Sequence, residues 1–311
     1  TAMDGVNVMN QIVGNTDLSA YYEDNRRKLV RKHEQAQRRL EKESHLFSTL
    51  PRRVIKPSSL QRKDIALFRN RVVSFSLQEL EPYIDRRTLF ALNWRFGGPA
   101  GRERYGHSDE EMESLLEEWI IKAGNNAWIK PQGVFGLFPC YSEGEQVILL
   151  DPEDAQREIA RIEFASVLGA GNEDIVSAAQ YFRGRDAGAP DVIGLQLTTA
   201  GAQVEAVVES FKRKDDYESA LFLQGLSDRV AEDMAERIHS MMRKLIGVDA
   251  HCGQRWSPGY PGMKEIMHNM TIHAALQAEE LVGVSVTEAG EFRPTGTTAA
   301  AVSFHPDARY T

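Results

Sequence analysis

Residues 216–246 constrain this chain more than any other stretch. Tyr217, Leu221, Val230, Met234, Ile238, Met241 and Leu245 recur at helical spacing, no proline interrupts them, and Gly247 supplies a natural stop. A long helix with one apolar stripe has to lay that stripe against another element, so the rest of the chain must supply a core. Strand patterns are available for it. Gly133-Val134-Phe135-Gly136-Leu137-Phe138-Pro139 and Val147-Ile148-Leu149-Leu150 read as a strand pair joined by the Glu143-Gly144 turn, and Asp191–Leu197 reads as another strand. Ser108-Asp109-Glu110-Glu111 fits a capping box ahead of a helical run through Met112, Leu115, Leu116, Trp119 and Ile120. A further helix is expected over 262–281, with late strands at Val282–Val286 and Ala299–Phe304. Helices and strands do not alternate regularly and hairpins recur. That predicts an α+β fold with a largely antiparallel sheet, not a doubly wound one.

The N-terminal part differs in kind. Residues 1–16 mix apolar and amide side chains and look like the tail of something that packs elsewhere. Residues 18–48 read as one long polar helix without glycine or proline, of the sort that connects units. Pro51 ends it, and 51–64 reads as a linker. The expected division is therefore 1–16 as a tail, 17–64 as connecting helix and linker, and 65–311 as the globular body. Residues 21–64 hold 13 Lys/Arg and six Asp/Glu, a balance of +7, so with −8 overall the remainder carries −15. Such a run fits a solvated helix face, and equally a basic arm able to meet an acidic partner. The acidic body and the lack of interleaved aromatics disfavour nucleic acid.

Composition excludes several classes. At 42% hydrophobic and 26% charged the chain is globular in composition and too apolar to be disordered. No apolar run reaches the roughly 18 residues of a membrane span. Cys140 and Cys252 cannot build a disulfide framework or a four-thiolate metal site, and no signal peptide is visible, so a cytoplasmic location is expected. The first residue is Thr1, so a fragment or processed product is expected.

Candidate chemistry is sparse. Gly169-Ala170-Gly171 lacks the third glycine and the strand-to-helix setting of a dinucleotide loop, and reads as an ordinary loop. His251, Cys252, His268 and His273 match no compact zinc spacing, and no metal site is expected. No catalytic nucleophile pattern stands out. The segment Arg255-Trp256-Ser257-Pro258-Gly259-Tyr260-Pro261 is different. Two prolines stiffen it, Gly259 allows close approach, Arg255 offers a fork suited to a carboxylate, and Tyr260 offers a flat face with a polar tip. It suits a ligand that is part amino acid and part heterocycle, with a structural turn as the alternative.

This loop resembles the Arg-x-x-x-Gly-Tyr motif of the S-adenosylmethionine-binding activation domain of cobalamin-dependent methionine synthase. Tyr83-Ile84-Asp85, Pro131–Pro139, Asp215-Asp216-Tyr217, Asp228-Arg229-Val230-Ala231-Glu232 and His305-Pro306-Asp307-Ala308-Arg309-Tyr310 are similar to further segments of that family, in order, from about residue 75 to 311. Residues 153–190 depart from its pattern, so the sheet edge there is expected to be remodelled.

The resemblance implies a twisted sheet flanked by helices. It makes residues 1–16 the tail of a preceding cobalamin-binding domain. It also implies a role: presenting S-adenosylmethionine so that inactive cob(II)alamin is reductively remethylated, with the electron from flavodoxin or a similar reductase. Cobalamin would be held by the neighbouring domain of the same polypeptide. Arg255 is implied to take the ligand carboxylate and Asp85 its ammonium. Gly259, Tyr260 and Tyr310 would border the ligand, and Glu232 would lie near the sulfonium. Two rivals stand beside this reading. One is a stand-alone corrinoid-protein activating or docking module without ligand binding. The other is an ordinary methyltransferase acting on a diffusible acceptor.

Overall fold

Val134 to Phe138 contain no polar side chain, and all five residues are buried. A strand that is apolar on both faces needs cover on both. The computed structural model of the chain describes Met9 and residues 19–56, 65–97 and 108–309. Its strands are β1 (Phe68–Ser74), β2 (Gln132–Glu143), β3 (Gln146–Leu150), β4 (Glu158–Glu163), β5 (Asp191–Thr199), β6 (Gln254–Trp256) and β7 (Thr297–Ser303). Its main helices are α1 (Ser19–Thr49), α2 (Asp109–Asn125), α3 (Gln203–Lys212), α4 (Tyr217–Ile246), α5 (His268–Leu276) and α6 (Ala278–Val282).

The seven strands form one sheet in the order β4-β3-β2-β5-β7-β6, and β1 shares the β3 edge of β2. Every strand pairing in it is antiparallel. The expected α+β class with an antiparallel sheet, preceded by a long helix, is what forms. Alternate residues of β2 serve two cores. Phe135 and Leu137 pack with Val230, Met234 and Ile238 of α4. Val134 and Phe138 pack with Ile272 and Leu276 of α5. Burying each large apolar side chain contributes about 1.5–3 kcal/mol relative to leaving it in water, so α4 is held by packing more than by intrinsic propensity.

The ends of α4 follow the sequence. The Asp216 carboxylate accepts the Ser219 N–H at 3.1 Å, and Gly247 closes the helix at φ +75°. The capping box at Ser108 and Glu111 is also present.

Three expectations change. The helix expected over 262–281 begins only at His268 and breaks at Gln277, which has φ +57°. Val282 ends α6, so the expected strand Val282–Val286 shrinks to Ser285–Val286, paired outside the main sheet with Phe292–Arg293. The N-terminal linker is partly bound to the body. Arg53 forks onto Asp174 at 2.7 and 2.8 Å, its N–H reaches the Ile175 carbonyl, and the Lys56 carbonyl lies 2.9 Å from His305 Nε2. Asp174 belongs to the loop that begins at Gly169, so that loop serves as an anchor for residues 51–56. Residues 57–64 and all of 1–16 except Met9 lie outside the described residues.

Candidate functional site

The short edge strand β6 sets up the site. It runs antiparallel to β7, with Trp256 opposite Ala301 and Arg255 opposite Val302. Successive strand residues face opposite sides. Trp256 therefore turns into the α5-side core, where it stacks on Tyr181 at 6.2 Å and its indole N–H donates to Ser303 Oγ at 3.3 Å. Arg255 turns to the other face, along which α4 runs. There α4 presents Glu232 and Glu236, one helical turn apart. Glu236 Oε2 lies 3.4 Å from Arg255 Nε, and its Oε1 lies 3.3 Å from Arg243 Nη1. Arg243 Nε in turn donates to the Cys252 carbonyl at 2.8 Å, tying α4 to the approach of β6.

After β6 the chain makes a tight corner. Gly259 sits at φ +86°, and its N–H donates to the Met263 carbonyl at 2.8 Å. A Cβ on Gly259 would meet only Ile266 Cδ1, at 3.7 Å, so glycine is required for the backbone angle and not for space. The corner carries Tyr260 to the surface, 57% exposed. Glu232, Gln254, Arg255, Ser257 and Tyr260 together line a cleft of about 260 Å³. It offers a guanidinium, a carboxylate with no ion-pair partner among the described residues, two neutral polar side chains and an aromatic face.

The candidate residues are thus partly gathered. Glu232, Arg255 and Tyr260 share the cleft, with Gly259 forming its corner. Asp85 does not line it. Asp85 caps the short helix Arg86–Thr88, its two oxygens accepting from the Thr88 N–H at 3.1 Å and the Thr88 hydroxyl at 2.6 Å. Those bonds hold its carboxyl below the usual range. It is nonetheless tied to α4, because its backbone N–H donates to Asp233 Oδ2 at 3.0 Å, and Asp233 follows Glu232. Arg229 forks onto Asp233 at 2.9 and 2.6 Å, and feels the charges of both Glu232 and Asp85. Tyr310 lies outside the described residues.

Glu236 and Gln254 escaped the sequence reading, and Ser257 entered it only as part of the proline-bracketed segment. A signal existed for Glu236, since an acid four residues beyond Glu232 must share its helix face. Three of the residues weighed as metal ligands have structural partners. His268 Nε2 accepts the Glu163 N–H at 3.1 Å, His273 Nε2 lies 2.7 Å from the Val284 carbonyl, and Cys252 Sγ donates to the Phe304 carbonyl at 3.2 Å.

His239 of α4, 3.9 Å from Glu236, is 2% exposed. Burial, reinforced by the charges of Arg243 and Arg255, lowers its imidazole from 6.5 to about 3. It is neutral at ordinary pH, so its 3.9 Å approach to Glu236 is not an ion pair. The unfolded chain takes up a proton below about pH 6.5 that the folded chain refuses until about pH 3, so stability falls as pH drops through that window. Thermal unfolding should lose more on moving from neutral pH to about pH 5 in the parent protein than in His239→Gln. Equal losses would contradict this assignment.

Residues 76–311 match the family model described as vitamin B12 dependent methionine synthase, activation domain. The methionine synthase of Mycobacterium tuberculosis is 24% identical over 255 residues, which are 73% of this chain and 21% of that protein. The chain thus spans about a fifth of the length of this curated relative. A crystal structure of the MetH reactivation domain bound to AdoHcy has a similar fold, with a TM-score of 0.67, 24% identity and 83% of each chain covered. No helix among the described residues is long and apolar enough to cross a membrane. Because the family model covers most of the chain, including β2 to β7, α4 and the corner after β6, the chain belongs to the activation-domain family of vitamin B12-dependent methionine synthase.

Proposed function

We propose that this chain binds S-adenosylmethionine in the cleft between α4 and the β6 corner and presents its methyl group for reductive remethylation of inactive cobalamin. The observation that carries the reading is the convergence of Arg255, Glu232 and Tyr260 on one cleft. The ligand is a zwitterion with a cationic sulfur, and these are the charges that would hold it. Arg255 takes the carboxylate through a forked contact. Glu232, which has no ion-pair partner among the described residues, faces the sulfonium. Asp85, outside the cleft lining but tied to α4 beside Glu232 through Asp233, takes the ammonium as the ligand extends beyond the cleft, since Thr88 uses only part of the acceptor capacity of a carboxylate. Gly259, Tyr260 and Tyr310 border the ligand. The cleft is small for a whole nucleoside derivative and suits the amino-acid half best.

Cobalamin, the acceptor of the electron and then of the methyl group, belongs to the neighbouring domain of the same polypeptide, whose tail is residues 1–16. Residues 17–64 connect the two, and 65–311 form the ligand-binding unit. This chain needs no general base, because a methyl group and not a proton is transferred. Its contribution is placement and charge complementarity. It is part of a methyltransferase of methionine biosynthesis, acting in the cytoplasm. The electron comes from flavodoxin or an equivalent reductase, drawn by the exposed basic side chains of α1.

The test uses the full-length polypeptide holding cob(II)alamin, with reduced flavodoxin and S-adenosylmethionine. Methylcobalamin should form, more slowly at high salt and more slowly when Arg26, Arg27 and Lys28 are reversed in charge. Failure to form it counts against the reactivation role. Rates indifferent to both salt and charge reversal count against the basic arm.

A further inference from the structure

We infer that Glu236 is a positioning residue for Arg255, holding one side of its guanidinium so that the other side is aimed at a ligand carboxylate. The inference rests on the proposed binding of S-adenosylmethionine in this cleft. A guanidinium has five N–H donors in a rigid planar fork, and it can serve two carboxylates at once, one beside Nε and one across the terminal nitrogens. Glu236 approaches Nε at 3.4 Å, and no other ion pair engages Arg255 among the described residues. Nη1 and Nη2 are the donors left for a ligand.

Glu236 is itself anchored. Arg243 Nη1 lies 3.3 Å from its other oxygen, and Arg243 Nε is fixed on the Cys252 carbonyl at 2.8 Å. Cys252 lies three residues before Arg255, so the chain of contacts runs from the approach of β6, through α4, and back to β6. A long side chain on an edge strand has several rotamers, and this loop of contacts selects one before any ligand arrives. The two acids one turn apart on α4 therefore differ in role. Glu232 lines the cleft and has no ion-pair partner among the described residues, whereas Glu236 lies outside the lining and is committed to two arginines. Were both to face the ligand, its carboxylate would be repelled.

Titration calorimetry on the purified chain tests this with two ligands. One is S-adenosylmethionine. The other is methylthioadenosine, which keeps the nucleoside and the sulfur but lacks the amino-acid end. Glu236→Ala should weaken S-adenosylmethionine binding about tenfold, within the coupling range of residues in contact. Glu236→Gln, which keeps the length of the side chain but not its charge, should recover little of the loss, because the 3.4 Å contact with Nε is an ion pair. Methylthioadenosine affinity should not move. In an Arg255→Ala background, Glu236→Ala should add nothing. The inference is overturned if S-adenosylmethionine binds Glu236→Ala as tightly as the parent. Tighter binding overturns it too, because Glu236 would then be a competitor for Arg255. So does equal weakening of both ligands, or an undiminished effect in the Arg255→Ala background. If the parent chain itself fails to bind S-adenosylmethionine, the functional reading falls first, which separates the two failures.

Discussion

Arg255→Ala is expected to weaken S-adenosylmethionine binding by about 2–5 kcal/mol, or roughly 30-fold or more, the usual cost of removing one member of a buried charged contact. The size follows from where Arg255 sits. Its side chain is only 24% exposed, pressed between the edge of the sheet and α4. A ligand carboxylate brought there loses water and, without the guanidinium, gains nothing in return. Arg255→Lys should recover little, because a point charge replaces a planar fork and Glu236 loses its Nε partner. The substitution lies on an edge strand and leaves both cores intact, so the thermal midpoint should hardly change. Unchanged affinity by calorimetry would remove Arg255 from the site.

The second large effect concerns stability. Asp233 is 8% exposed and Arg229 is 16% exposed, and they form a forked pair on α4. Asp233→Ala strands the arginine and removes the acceptor of the Asp85 N–H. Breaking a buried pair in this way costs about 3–5 kcal/mol, which should lower the melting temperature by roughly 6–20 °C in a domain of this size. Replacing both partners by apolar residues, as in Asp233→Leu with Arg229→Met, should be far milder, since no charge is left unpaired. Circular dichroism melts decide between these outcomes. A single variant that melts with the parent, or a double variant worse than the single one, would refute the account of this pair.

The sequence made some of this legible and hid the rest for physical reasons. The span of α4 was readable because Gly247 stops it and apolar residues recur through it, although the stripe named from spacing runs off the buried face at its ends, with Tyr217 64% and Leu245 41% exposed, while Phe222, Leu223 and Leu226 are buried. The continuous apolar run in β2 was readable as a strand, although not as one covered on both faces. The helix expected over 262–281 was misjudged in extent. Apolar spacing does not reveal that Gln277 takes a left-handed backbone, which breaks it, or that the corner after β6 continues as turns to Met267. Residues 51–56 read as linker because Pro51 and Pro57 flank them, yet Arg53 and Lys56 find partners more than a hundred residues away. Pairings that distant leave no local periodicity.

At the site, the proline-bracketed corner announced itself through composition, whereas Glu232 came from the family likeness. Asp85 came from the family likeness, and its cap on Thr88 explains why its geometry is local as well as tied to α4. Glu236 was hidden because its role depends on Arg255, which only strand pairing brings to it.

The most direct test of the central idea, that Arg255 at the β6 corner and Asp85 hold the two poles of one zwitterion beside Glu232 of α4, is calorimetric titration of the purified chain with S-adenosylmethionine. The account predicts saturable one-to-one binding, lost or severely weakened in Arg255→Ala while the fold persists. Absence of binding heat up to millimolar ligand, in a chain shown by circular dichroism to be folded, would contradict it.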